Sequence, residues 1–249
     1  MTTAGTEIDE SIAPATALSR VGALVVCAVM FVIFYYGSGW LSHLFAPYVE
    51  GIAKPADAPD TWWKVAQQFS HSGPAEVIAV FVPVWLYCLL RGRSFADLGF
   101  NRAGTFLPWV VVIAVEALLV AVELRGPIGH VGDRFNPYAL YAASMIGLTA
   151  AFSEEVFFRG FLMEELRRGG FGNAAQVVIS MLFFGAAHLS YIPSDIYGWT
   201  IPLGTALVGG FWSVIYIWSK RSLWPVITAH CINDFIVVAA AYYVFGGHV

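Results

Sequence analysis

Apolar residues run along this chain in long blocks, with polar residues gathered between them. Seven blocks approach or exceed the ~20 residues that carry an α-helix across a bilayer's hydrocarbon core. They lie near 21–46, 73–90, 104–123, 137–166, 173–192, 197–218 and 223–245. The second is the weakest, with Glu76 near its start and Pro83 inside it. The longest connection is 47–74, punctuated by Pro47, Pro55 and Pro59. Within it Trp62 and Trp63 open a short amphipathic stretch, which reads as a helix lying at the membrane interface. No internal repeat or low-complexity tract interrupts the pattern. The expected fold is therefore all-α, a polytopic transmembrane helical bundle of about seven spans (six to eight). Residues 1–20 form a tail and 21–249 a single membrane domain.

Composition supports that reading. Of 249 residues, 58% are hydrophobic and 12% charged, against ~45–50% and ~25% in soluble domains. So little charge cannot cover a water-soluble globule, and lysine appears only at Lys54, Lys64 and Lys220. Net charge is −4, with no basic stripe, so nucleic acid is not expected as a partner. The three cysteines, Cys27, Cys88 and Cys231, lie in apolar runs and read as small buried hydrophobes. Arg20, Arg91, Arg93, Arg102, Arg167, Arg168, Lys220 and Arg221 fall on one side, while Lys54, Lys64, Arg125 and Arg134 fall on the other. Eight against four predicts a cytoplasmic N-terminus. The expected location is the cell membrane.

An ionisable side chain in hydrocarbon costs at least ~2.5–3.5 kcal/mol on insertion scales. Away from helix ends, the later blocks hold Glu116, Glu154, Glu155, Arg159, His188, His230 and Asp234, six of them after residue 150. Glu155 and Arg159 are four apart on one helix face, in the favourable order, so Arg159 is expected to neutralise Glu155. Glu154 points ~100° away and lacks that partner. It is either a catalytic carboxylate or half of an interhelical ion pair. Phe184 shares a face with His188, and His230 shares one with Asp234, with Asn233 nearly aligned. His188 alone reads as a packing residue, and His230–Asp234 as a carboxylate orienting an imidazole.

Depth draws these groups together. Glu154 lies fourteen residues before Arg168, and His188 fifteen after Asn173, so both sit ~21–23 Å from the bend between them. Asp234 lies thirteen residues past Arg221, ~20 Å along the last span, with His230 one turn lower. Glu116 belongs to none of these pairings. It is expected to pair with Arg159 or to line the cavity, outside the site.

At these residues the chain resembles the CPBP family of CAAX prenyl endopeptidases and bacteriocin-processing and self-immunity membrane proteins. The resemblance rests on Glu154-Glu155-x-x-x-Arg159, Phe184-x-x-x-His188 and His230-x-x-x-Asp234, preceded by Ser94-Phe-Ala-Asp-Leu-Gly-Phe100. It spans roughly 94–245, the expected catalytic core. It implies an intramembrane endopeptidase acting near the C-terminus of a peptide or protein. In it Glu154 is general base on a water, His188 positions that water, and His230 and Asp234 face the oxyanion. Glu155, Arg159, Phe184 and Asn233 support them. The last motif more often ends in Asn, and Asp234 donates a hydrogen bond only when protonated. Asn233 is the alternative donor.

Amide hydrolysis needs an activated water, an oxyanion donor and a proton for the leaving amine, which an acid and two imidazoles supply. No Gly-x-Ser-x-Gly elbow and no His-Glu-x-x-His is present. No cofactor is required by this chemistry. Were a Zn²⁺ present, Glu154, His188 and His230 would be its ligands. The expected partners are membrane lipid and a peptide or protein substrate, lipid-modified or not. Two other readings use the same polar groups: a non-proteolytic scaffold or immunity protein on this fold, and a small transporter. The missing repeat weighs against the transporter.

Overall fold

The computed structural model describes residues 16–56, 58, 60–123, 137–192 and 198–235. Most of the tail 1–20, the loop carrying Arg125 and Arg134, and the seventh block beyond 235 lie outside the described residues.

The described chain is a helical membrane bundle. Helix α1 spans Ala17–Glu50 and opens on Thr16, whose Oγ1 accepts the Ser19 N–H at 3.1 Å. Its 34 residues extend ~50 Å, beyond the ~30 Å hydrocarbon core. Helix α2 spans Asp60–Leu90 and packs along α1. Ser42 Oγ lies 2.8 Å from His71 Nδ1 across the pair. Gln67 Nε2 donates to the carbonyls of Val49 and Glu50, which lie past the reach of intrahelical donors at the end of α1.

This pairing corrects one expectation. The interval 47–74 holds no separate interfacial helix. Helix α1 runs through Pro47 to Glu50, and Trp62 and Trp63 lie in the first turn of α2, which continues through Pro74 and Pro83. Proline lacks one N–H, but membrane helices absorb that loss where neighbours re-satisfy the freed carbonyl. Pro47, which looks like a break in the sequence, and Pro83, read as a weakness of the second block, are therefore internal residues of two long helices.

A turn from Arg91 to Arg93 leads to a 3₁₀ segment, Phe95–Leu98, closed by a capping box between Ser94 and Asp97. Helix α3 is Phe106–Glu123 and α4 is Pro137–Glu155. The chain then widens into a π-helical segment, Val156–Leu162, before α5, Met163–Arg168. All seven π residues are buried, and they form the centre of the core with Phe184, Trp212 and Tyr216. Helix α6 is Asn173–Ala187, α7 is Thr200–Trp218 and α8 is Trp224–Asn233. Helix α6 thus ends five residues short of the block read as 173–192, leaving His188 just past its last turn.

Among the described residues three helical stretches are long and apolar enough to cross a membrane: Ser19–Glu50, Trp63–Leu90 and Thr200–Trp218. Val21, Val25, Val29 and Val32 form an uncovered stripe on α1. A row of exposed valines on a spanning helix is a lipid-facing surface. Inside the bundle small residues let backbones approach. A Cβ on Gly209 of α7 would stand 2.7 Å from the Phe184 ring, so that ring needs glycine opposite it. Cys231 Sγ donates to Gly147 O at 2.9 Å, tying α8 to α4. The three cysteines are free thiols.

Candidate active site

The last turn of α4 and the first turn of the π segment carry Glu154, Glu155 and Arg159 into the bundle. Glu155 and Arg159 are wholly buried, and Arg159 Nη1 donates to Glu155 Oε1 at 2.7 Å. The other arm of the guanidinium, Nη2, donates to Gly209 O at 2.8 Å, and its plane lies 4.5 Å from the Phe184 ring centre. A buried charge is tolerated when it is paired and hydrogen-bonded. Arg159 has a carboxylate, a carbonyl and a π face, so it locks the π segment against α6 and α7.

Glu155 Oε1 has a second partner, His230 Nδ1 of α8, at 2.9 Å. A carboxylate bound to arginine only accepts, so Nδ1 carries the proton and donates. His230 Nε2 then faces Glu154 Oε2 at 3.9 Å and Asp234 Oδ2 at 3.5 Å. One imidazole thus meets all three acids, with its orientation fixed by Glu155. The Trp212 ring covers it, centroids 4.2 Å apart.

Glu154 is held differently. Its Oε2 is buried and has no hydrogen-bond partner. Its closest ionic neighbour is His230, and its side chain keeps 13% exposure while that of Glu155 has none. Of the two adjacent carboxylates, one is consumed by structure and the other is left open.

His188 joins this group through Phe184. The two rings lie 5.2 Å apart, and Phe184 also lies 6.0 Å from the His230 ring. His188 Nδ1 lies 2.9 Å from Phe184 O. A carbonyl only accepts, so Nδ1 is the donor and Nε2 bears the lone pair. That is the tautomer able to accept a proton from water.

Asn233 Nδ2 donates one of its two hydrogens to Glu116 Oε2 at 3.2 Å. One expectation changes here: Glu116 does not pair with Arg159. It accepts from Asn233 and from Trp212 Nε1, the latter at 2.7 Å, and so anchors α8 and α7 to α3.

Two residues at the site carry no motif. Trp212 roofs His230 while its N–H holds Glu116. Glu76 of α2 lies within electrostatic reach of Glu154, Asp234 and His230, and its Oε1 is buried without a hydrogen-bond partner. Its one sequence signal is a carboxylate inside an apolar block. Among the described residues no three His, Cys, Asp or Glu side chains are grouped so as to hold a metal ion. The set Glu154, His188 and His230 is not assembled as a ligand sphere, and the chemistry below uses side chains alone.

Residues 136–236 match the model of the Rce1-like family, described as type II CAAX prenyl endopeptidase Rce1-like. Glu154, His188, His230 and Asp234 all fall within the match. The match contains all three motifs that carry the resemblance to the CPBP family. Neither the curated proteins nor the solved structures yield a match.

Proposed function

Taking that family as the premise, we propose that this chain is a CAAX-type intramembrane endopeptidase in which Glu154 activates a water molecule. The single observation that carries the reading is the contrast inside the Glu154-Glu155 pair. Glu155 is bonded to Arg159 and His230, while Glu154 Oε2 is buried, unpartnered and 3.9 Å from His230 Nε2.

In the proposed reaction the water gives one proton to Glu154 as its oxygen bonds to the scissile carbonyl carbon. The lone pair on His188 Nε2 accepts the water's other hydrogen and aims the attack. The carbonyl π electrons move onto oxygen. His230, in its imidazolium form and held at Nδ1 by Glu155, donates its Nε2 proton to that oxyanion. Asp234 offers its charge to the same nitrogen, a role that Asn in this position cannot fill. The oxyanion then re-forms the carbonyl, the C–N bond breaks, and Glu154 returns its proton to the leaving amine. The products are a new carboxyl terminus and a free amine, and Glu154 is again ionised.

The substrate class proposed is a peptide or protein tail, lipid-modified or not, cut near its C-terminus. We place the protein in the cell membrane with its N-terminus in the cytoplasm, on the excess of Arg and Lys in the loops of that side.

The test uses the purified full chain in detergent with C-terminal tail peptides in ¹⁸O-water. One ¹⁸O is expected in the new carboxylate, and added hydroxylamine is expected to give no hydroxamate, because water attacks directly. His188→Ala is expected to lower kcat by about 10²-fold or more. A hydroxamate product, or wild-type turnover by His188→Ala, overturns the mechanism.

A further inference from the structure

At the arginine-rich end of the bundle lies a cavity of about 490 Å³, lined by Leu90, Arg91, Gly92, Arg93, Asp97 and Arg168. It sits between the end of α2, the turn that follows and the end of α5. Its cations are unequally committed. Arg93 is spent on Glu165, which also accepts from Tyr87 Oη at 2.7 Å. Arg168 uses Nε on Glu164 at 2.8 Å, and no bond occupies its Nη atoms. Arg91 forms no ion pair or side-chain hydrogen bond among the described residues. One whole guanidinium and the fork of a second therefore line a polar recess with a single acid, Asp97. Asp97 itself accepts from the Ser94 N–H in its capping box.

The level of the cavity identifies its ligand. Leu89 and Leu90 end α2 with 54% and 85% exposure, as residues facing acyl chains do, and Arg91 follows at once. The change from exposed leucine to free arginine marks the headgroup layer. A substrate's own C-terminus does not reach it. Arg168 lies fourteen residues along the helix from Glu154, roughly 20 Å. The three residues after the cysteine of a Cys-a-a-X tail span at most ~11 Å.

We propose that this cavity binds the phosphate of an anionic phospholipid, held by Arg91 and the free fork of Arg168 with its acyl chains against Leu89 and Leu90. Guanidinium matches phosphate with paired N–H donors, and lysine would supply only a point charge. The proposal is independent of the peptidase reading and stands or falls without any activity measurement.

The experiment is native mass spectrometry of the full chain in detergent, titrated with phosphatidylglycerol or phosphatidylcholine. Phosphatidylglycerol is expected to bind one to one and phosphatidylcholine at least about tenfold more weakly. Arg91→Gln is expected to weaken phosphatidylglycerol about tenfold, and Arg91→Lys about threefold. Lys220→Gln removes an equal charge at the same end of the molecule and is expected to change affinity less than about twofold. Equal loss in Lys220→Gln and Arg91→Gln assigns the effect to general charge and overturns the site, as does wild-type binding by Arg91→Gln. A separate arm follows thermal unfolding with inorganic phosphate at millimolar concentration. Stabilisation matching that by phosphatidylglycerol assigns the cavity to a soluble anion and overturns the lipid.

Discussion

One helical run carries two adjacent pairs of glutamates ten residues apart, Glu154-Glu155 and Glu164-Glu165, and the bundle treats them differently. In the second pair both acids are neutralised. Glu164 accepts from Arg167 at 2.7 and 2.9 Å and from Arg168 at 2.8 Å, and Glu165 pairs with Arg93 and Tyr87. In the first pair Glu155 meets Arg159 and His230, and Glu154 Oε2 meets no hydrogen-bond donor among the described residues. A carboxylate at a helix end with an arginine on each side is a structural tie. A carboxylate left open deep in a bundle, beside an oriented imidazole, is a base awaiting a substrate. The difference lies in the neighbours, since the two dipeptides are chemically identical.

Substitutions can break this contrast. The largest stability loss is expected at Glu155. Glu155→Leu leaves Arg159 buried without its counter-ion, at a cost of about 3–5 kcal/mol. Thermal unfolding in detergent should show this, with cleavage lost because His230 loses its anchor. Glu165→Gln weakens one tie and is expected to cost about 1–3 kcal/mol. Its kcat should stay within about threefold of wild type, and a larger drop would show that the second pair is not merely structural. Trp212→Phe keeps an aromatic roof over His230 and removes one N–H donor from Glu116. A loss of about 1 kcal/mol is expected, read by unfolding. Asp234→Asn is expected to lower kcat/KM by about tenfold or less, since Glu155 still orients His230. A loss as deep as that at Glu154 would make Asp234 the principal base.

Much of the site was legible as spacing. Glu155–Arg159 and His230–Asp234 stand four apart, and the structure brings both pairs within ion-pair distance. Depth from the bends put Glu154, His188 and Asp234 in one slab with His230 one turn lower, and His230 lies 3.9 Å from Glu154. What spacing cannot express is which residues arrive from helices with no motif. Nothing in sequence links Glu76, Glu116 or Trp212 to position 154, because their contacts depend on how α2, α3 and α7 pack. Asn233 donates to Glu116 of another helix, a bond that its own helix does not announce. The π turn was equally hidden, since Val156–Leu162 is apolar apart from Arg159 and Gly160 and leaves no periodicity to read. Pro47 and Pro83 misled for a related reason. Proline stops helices in water, but these two sit inside α1 and α2 here.

The open carboxylate is tested most directly by the turnover of Glu154→Gln, with its thermal unfolding measured on the same preparation. Glutamine keeps the size of the side chain and cannot take a proton. The account predicts a fall in kcat of about 10³-fold or more with an unfolding temperature close to that of wild type. Turnover within a few-fold of wild type, or inactivity caused by unfolding, would contradict it.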